Sequence, residues 1–67
     1  MRVNSSAIAD VDYKPSRRRL RLEYTNGRTY DYLGVPIEVY EDLIAADSIG
    51  EFVNREVKPN YDCSEVE

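Results

Sequence analysis

Between Arg18 and Leu33 the chain alternates, turns and alternates again, and this stretch limits the possible folds more than any other. Leu20, Leu22 and Tyr24 share one face of an extended segment while Arg19, Arg21 and Glu23 share the other, the period-two pattern of a half-buried strand. Asn26-Gly27 then marks a hairpin, and Arg28 to Leu33 forms the returning strand. The loop length decides where Tyr30 and Tyr32 go, because a one-residue slip sends every side chain to the opposite face. A two-residue Asn26-Gly27 turn pairs Leu22 with Asp31 and puts both tyrosines beside Arg19 and Arg21. A three-residue Thr25-Asn26-Gly27 loop, with Gly27 left-handed, pairs Leu22 with Tyr30 and Leu20 with Tyr32. The second register gathers Leu20, Leu22, Tyr24, Tyr30 and Tyr32 into one face for a helix to cover, and is the preferred one.

Upstream, Ser5 to Tyr13 is compatible with a strand, but Ile8, Val11 and Tyr13 break a single alternation, which predicts a bulge near Ala9 to Asp10. Lys14-Pro15-Ser16 reads as the turn into the next strand, which begins at Arg18. Downstream, Pro36 suits the first position of a helix whose Ile37, Tyr40, Leu43 and Ile44 recur at helical spacing, with an acidic opposite face. Ser48 and Glu51 fit a capping box ahead of a second stripe, Ile49, Phe52, Val53 and Val57, which stops before Pro59. The expected fold is α+β: a three-stranded antiparallel meander followed by two helices on one face, in the order β-β-β-α-α.

With 67 residues, such a chain makes one small domain that buries only about 60% of its unfolded surface. Residues 1–61 are expected to form it, and residues 62–67 an acidic, frayed tail. No apolar run reaches the length of a membrane helix, and Asp10 and Asp12 interrupt the region where a signal peptide would be apolar, which predicts a cytoplasmic protein without membrane contact. Cys63 is the single cysteine and there is no histidine, so an internal disulfide is excluded and the commonest general base is missing. Catalysis is therefore disfavoured, and no feature calls for a metal or cofactor.

A net charge of −4 hides a division. Residues 1–35 carry seven basic and four acidic side chains, a net of +3, and residues 36–67 carry two basic and nine acidic ones, a net of −7. Two-faced charge of this kind allows the basic half to meet phosphates, although it also suits plain solvation of a small domain.

Several short elements occur in a fixed order: Ser5-Ser6, Leu20 to Tyr24, Asn26-Gly27, Tyr30-Asp31-Tyr32, Gly34-Val35-Pro36, Ala46 through Ser48 and Gly50 to Asn54, and Tyr61. In this order they resemble the KTSC domain over residues 3–61. Asp47, Ile49 and the order Phe52-Val53 depart from the family pattern. The resemblance implies a domain found at the C-terminus of some lysyl-tRNA synthetases and in small stand-alone proteins of bacteria and phages. That association implies RNA binding, with Tyr-x-Tyr as its landmark.

The residues offer several candidate sites. Arg17, Arg18, Arg19 and Arg21, with Lys14 beside them, form the strongest footprint for phosphate. Against it stands a pI of 4.7, where nucleic-acid-binding domains commonly exceed about 9. Tyr30 and Tyr32 would stack on unpaired bases if exposed; in the preferred register they are instead partly buried, with hydroxyls reaching a polar partner at the rim. Ser48, Gly50 and Asn54 are a weaker candidate for an anion at a helix start, with simple capping as the plainer reading. Asp10 and Asp12 lack further oxygen ligands for a cation. Ser5-Ser6 reads as a pair bonding to nearby backbone, and Cys63 lies far from any base.

The expected function is a small non-catalytic accessory module contacting RNA, tRNA-like in the first instance, or a protein of nucleic-acid metabolism. The alternative is a protein-interaction module that docks a basic partner through Glu38, Glu41 and Asp42 or through a free sheet edge.

Overall fold

The hairpin adopts the three-residue loop. The Tyr24 amide donates to the Arg28 carbonyl at 2.8 Å and the Gly27 amide to the Tyr24 carbonyl at 3.0 Å. Gly27 has φ of +90°, a conformation that costs a residue with a Cβ roughly 1–2 kcal/mol. Asn26 Oδ1 accepts from the Arg28 amide at 2.9 Å, closing the loop on itself.

The structure, a computed structural model, describes residues 1–66. In chain order it contains β1 (Ile8–Lys14), β2 (Arg19–Tyr24), β3 (Thr29–Tyr32), α1 (Ile37–Ala45), α2 (Ile49–Phe52) and β4 (Cys63–Val66), with a π-helical segment, Val53–Val57, continuing α2. The sheet order is β1-β2-β3-β4 and every pairing is antiparallel. In the β2–β3 register Leu22 faces Tyr30 and Leu20 faces Tyr32, as the apolar pattern requires. The bulge lies between Ile8 and Asp10.

The sheet has four strands where three were expected. The additional strand comes from the segment read as a frayed tail. Cys63 to Val66 has no apolar alternation and is largely exposed, so its pattern carries no strand signal; β3 offers it a row of unpaired backbone groups, and main-chain pairing recruits it. Glu67, the last residue of that expected tail, lies outside the described residues.

The core consists of Ile8, Val11, Leu20, Leu22, Tyr32, Val35, Leu43, Phe52, Val53 and Val57. Phe52, Val53 and Val57 of the second helical stripe are thus buried as expected, with Ile49 partly buried against them, and the π turn, with the Lys58 amide donating to the Val53 carbonyl at 2.9 Å, carries Val53 and Val57 inward together. The first stripe requires correction. Ile37 and Ile44 are 44% and 41% exposed, while Val39 and Tyr40 pack against the core beside buried Leu43. The buried face is turned toward Val39, and Tyr40, inward as expected, stacks on Tyr13 of β1, ring centroids 4.8 Å apart and planes within 9°. The Tyr13 hydroxyl in turn donates to the Val35 carbonyl at 2.6 Å, fixing the lead-in to α1. Pro36 is extended and stands at the cap, not in the first turn.

The turn before β2 also shifts by one residue. Arg18 is left-handed, with φ of 50°, and so belongs to the turn, not to the strand. Its carbonyl accepts from the Val35 amide at 2.9 Å, a long-range bond that offsets part of the cost of this conformation.

Tyr32 is 3% exposed whereas Tyr30 is half-buried, which orders their contributions. Tyr32→Ala is expected to cost about 3–5 kcal/mol in urea unfolding, the range for large aromatic truncations, and Tyr30→Ala clearly less. Equal losses would mean that the two rings share one environment.

Candidate functional site

The hairpin register puts Tyr24, Tyr30 and Tyr32 on the sheet face that the helices cover. The cover stops short of the hairpin loop. A cavity of about 470 Å³ opens there, lined by Tyr24, Asn26, Tyr30, Tyr32, Lys58 and Cys63. Tyr24 and Tyr30 meet edge to face, centroids 5.6 Å apart at 83°. The Tyr24 and Tyr32 hydroxyls share a hydrogen bond of 2.9 Å, which gives Tyr32 the polar partner expected for both Tyr30 and Tyr32. Lys58 Nζ sits 5.6 Å from the Tyr24 ring centroid, within range of a cation–π contact.

Burial pushes both hydroxyls of the Tyr24–Tyr32 pair upward, and for Tyr32 the bond to Tyr24 adds to the effect. Both are therefore neutral at physiological pH. On the edge of the corner, the Arg28 guanidinium is raised further by the Tyr30 hydroxyl and then by the Glu65 carboxylate. Asn26 has its oxygen engaged by the Arg28 amide, which leaves its NH₂ group to donate. The cavity lining combines aromatic surface, hydroxyls, an amide donor and one cation, Lys58, with Arg28 outside the lining beside Tyr30, a set suited to a planar polar ligand.

The arginines lie elsewhere. Arg21 and Arg19 stand on the opposite face of β2, where Asp31 meets them from β3. Arg21 grips Asp31 with two parallel bonds, Nε to Oδ1 at 2.7 Å and Nη2 to Oδ2 at 3.0 Å. Arg19 Nε is 4.0 Å from the same oxygen, is buried, and has no hydrogen-bond partner. Asp12 pairs across from Arg21 on the other side. Arg17 and Arg18 are exposed in the turn before β2, at the end of that strand opposite Tyr24. The Arg17–Arg21 run and the Tyr30–Tyr32 pair thus do not form one surface.

Ser48 Oγ accepts from the Glu51 amide at 3.3 Å, so half of the expected capping box is formed. Asn54 is exposed. Gly50 has a packing reason, because a Cβ there would come within 3.2 Å of the Ala7 Cβ and 3.9 Å of Ser5 Oγ. Ser5 Oγ accepts from the Ala7 and Ile8 amides, the local bonding expected of it. Asp10 is engaged by the Met1 ammonium at 3.2 Å. Among the described residues no cluster of three or more His, Cys, Asp or Glu is placed to hold a metal, and no helix is long and apolar enough to cross a membrane.

The model of the KTSC domain family matches residues 4–61. The chain belongs to the KTSC domain family. A crystal structure of a KTSC domain protein from Yersinia pestis superposes with a TM-score of 0.97 at 31% identity, covering 100% of this chain and 94% of that one. A protein of Tsukamurella paurometabola is 51% identical over 59 residues, 88% of either chain. A lysine–tRNA ligase of a Nostoc species is 31% identical over 61 residues, which are 91% of this chain and 11% of the ligase.

Two of the motif pieces that mark the KTSC resemblance, Ser5-Ser6 and Ala46 to Gly50, are remote in sequence and meet here around a cavity of about 230 Å³. In the tyrosine corner, sequence reasoning singled out Tyr30 and Tyr32 but not Lys58 or Cys63. Lys58 follows a helix whose π turn the apolar spacing did not reveal, and Cys63 lies on the strand without a pattern. The Asn26-Gly27 signal was the clue available for Asn26.

Arg21 holds the Asp31 carboxyl below its ordinary 3.8. A depressed folded-state value contributes stability above the unfolded value, and that contribution is lost as pH falls through the folded one. Asp31→Asn is therefore expected to lower the thermal midpoint at neutral pH, with the gap to the parent closing below about pH 4, as melting across pH would show.

Proposed function

We propose that this KTSC domain is a non-catalytic accessory module that contacts RNA by admitting one unpaired base into the tyrosine corner. The observation that carries the reading is the open cavity beside Tyr24, Tyr30 and Tyr32, where helix cover ends. Aromatic faces accept any base, at about 1–3 kcal/mol per stacked base. The Asn26 NH₂ group and the tyrosine hydroxyls face base-edge polar atoms, and Lys58 and Arg28 supply positive charge for an adjoining phosphate. Similarity to a segment of lysine–tRNA ligases adds support, since that segment accompanies an enzyme whose name includes tRNA.

The arginine run plays a lesser part in this reading than the sequence suggested, because Arg19 and Arg21 are turned to Asp31. With Lys58 and Arg28 as the phosphate contacts, the salt slope is shallow, about −1.4 in log K against log salt for single strands. A basic face using all four arginines would give a slope about twice as steep.

An amide-correlation NMR titration with a short single-stranded RNA and a structured RNA, at low and at roughly physiological salt, tests this. Saturable shifts at Tyr24, Asn26, Tyr30, Lys58 and Cys63, weakened by Lys58→Glu, are expected with the single strand. Shifts confined to 17–21 would move the contact to the basic turn, and a spectrum unmoved at low salt would remove RNA from consideration.

A further inference from the structure

Helix α1 covers the core with Val39, Tyr40 and Leu43, and its remaining surface carries two of the four apolar side chains that the sequence assigned to the interior. Ile37 and Ile44 are 44% and 41% exposed. Seven residues make nearly two turns, so the two isoleucines lie within about 20° of one another around the helix and form an apolar stripe on its outer side. Glu41 lies on the same side, one turn from each. Leu33, 51% exposed, stands just ahead of the helix.

The charge around this stripe has one sign. From Pro36 to Asn54 the chain carries Glu38, Glu41, Asp42, Asp47 and Glu51 and neither Lys nor Arg. None of these carboxylates forms an ion pair among the described residues. A cavity of about 380 Å³ at the far end of α1 is lined by Asp42, Asp47, Glu51 and Arg55, three carboxylates to one guanidinium. Arg55 also bonds to Glu56 at 3.1 Å, so the cleft keeps a net negative charge. The last turn of α1 has no basic residue to meet the negative end of its dipole, and the cavity adjoins that end. An exposed aliphatic stripe bordered by unpaired carboxylates, ending in an acidic cleft beside a bare helix C-terminus, complements a segment with the reverse pattern.

We propose that the outer face of α1 docks a basic amphipathic protein segment, with Ile37 and Ile44 taking its apolar side chains and the Asp42–Asp47–Glu51 cleft taking a Lys or Arg. A second copy of this chain is disfavoured as the occupant, because it would bring two acidic rims together. RNA is disfavoured for the same reason. The surface is distinct from the tyrosine corner, with no lining residue in common, so one protein can engage both partners.

The probe is a fluorescently labelled peptide of leucines and lysines arranged at helical spacing, compared with a scrambled peptide of the same composition, using anisotropy at roughly physiological salt. The ordered peptide is expected to bind at least tenfold more tightly than the scrambled one. Ile37→Ser with Ile44→Ser is expected to weaken it tenfold or more, as is Asp42→Lys with Glu51→Lys. Because these side chains are exposed or half-exposed, melting temperatures of the variants serve as the control for folding. Equal binding of both peptides, or binding indifferent to the isoleucine pair in a folded variant, would reduce the face to nonspecific attraction and overturn the proposal. A concentration-dependent dimer abolished by Ile44→Ser would overturn it in favour of self-association.

Discussion

The register of the β2–β3 hairpin is the constraint on which the rest of the molecule depends. Gly27 in the left-handed region gives the loop three residues instead of two, and strand periodicity then leaves no freedom: Leu20, Leu22, Tyr24, Tyr30 and Tyr32 point to one side and Arg19, Arg21 and Asp31 to the other. One slipped residue would bury Asp31 and expose both tyrosines. A buried unpaired carboxylate is costly enough to eliminate that alternative. The same register presents the outer edge of β3 to β4, bringing Cys63 and Glu65 opposite Tyr32 and Tyr30.

From that hairpin the small core is completed by contacts that tie distant parts of the chain together. Tyr13 on β1 is stacked by Tyr40 on α1, and its hydroxyl secures Val35 between β3 and α1. Gly50 lets the start of α2 approach the Ser5–Ala7 segment without a clash. With ten hydrophobic side chains buried among the described residues, each such contact matters, because a domain of this size has little hydrophobic surplus to lose.

Charge is divided between the halves of the chain, but folding treats the halves differently. In the basic half Asp31 takes Arg21 in a two-pronged grip and draws in Arg19, and Asp12 lies across from Arg21, whereas Arg17 and Arg18 stay exposed in the turn. The acidic half has no such partners on α1 and at the start of α2. What resembles one phosphate-binding run in sequence is split, with Arg19 and Arg21 turned to Asp31 and Arg17 and Arg18 left in the turn, and what resembles ordinary solvating charge is the acidic surface of α1.

The amino-acid sequence by itself determined the hairpin, its register, the bulge in β1, the second helical stripe and the family, since each rests on local periodicity, a turn dipeptide or ordered motifs within reach of one another along the chain. That Tyr30 and Tyr32 face the apolar side was legible for the same reason, although only Tyr30 stays half-buried and Tyr32 enters the core. Tertiary structure alone decided the rest. β4 pairs through main-chain groups, which have no side-chain signature. The face of α1 that takes Val39 inward and leaves Ile37 and Ile44 exposed packs on a core that includes Tyr13, 27 residues before Tyr40, and the π turn that brings Lys58 to the tyrosine corner answers to core packing. Local chemistry sets periodicity and turns, whereas the face a helix buries and the edge a strand joins are set by partners distant in sequence, and the open corner and the exposed helix face arise where those partners stop.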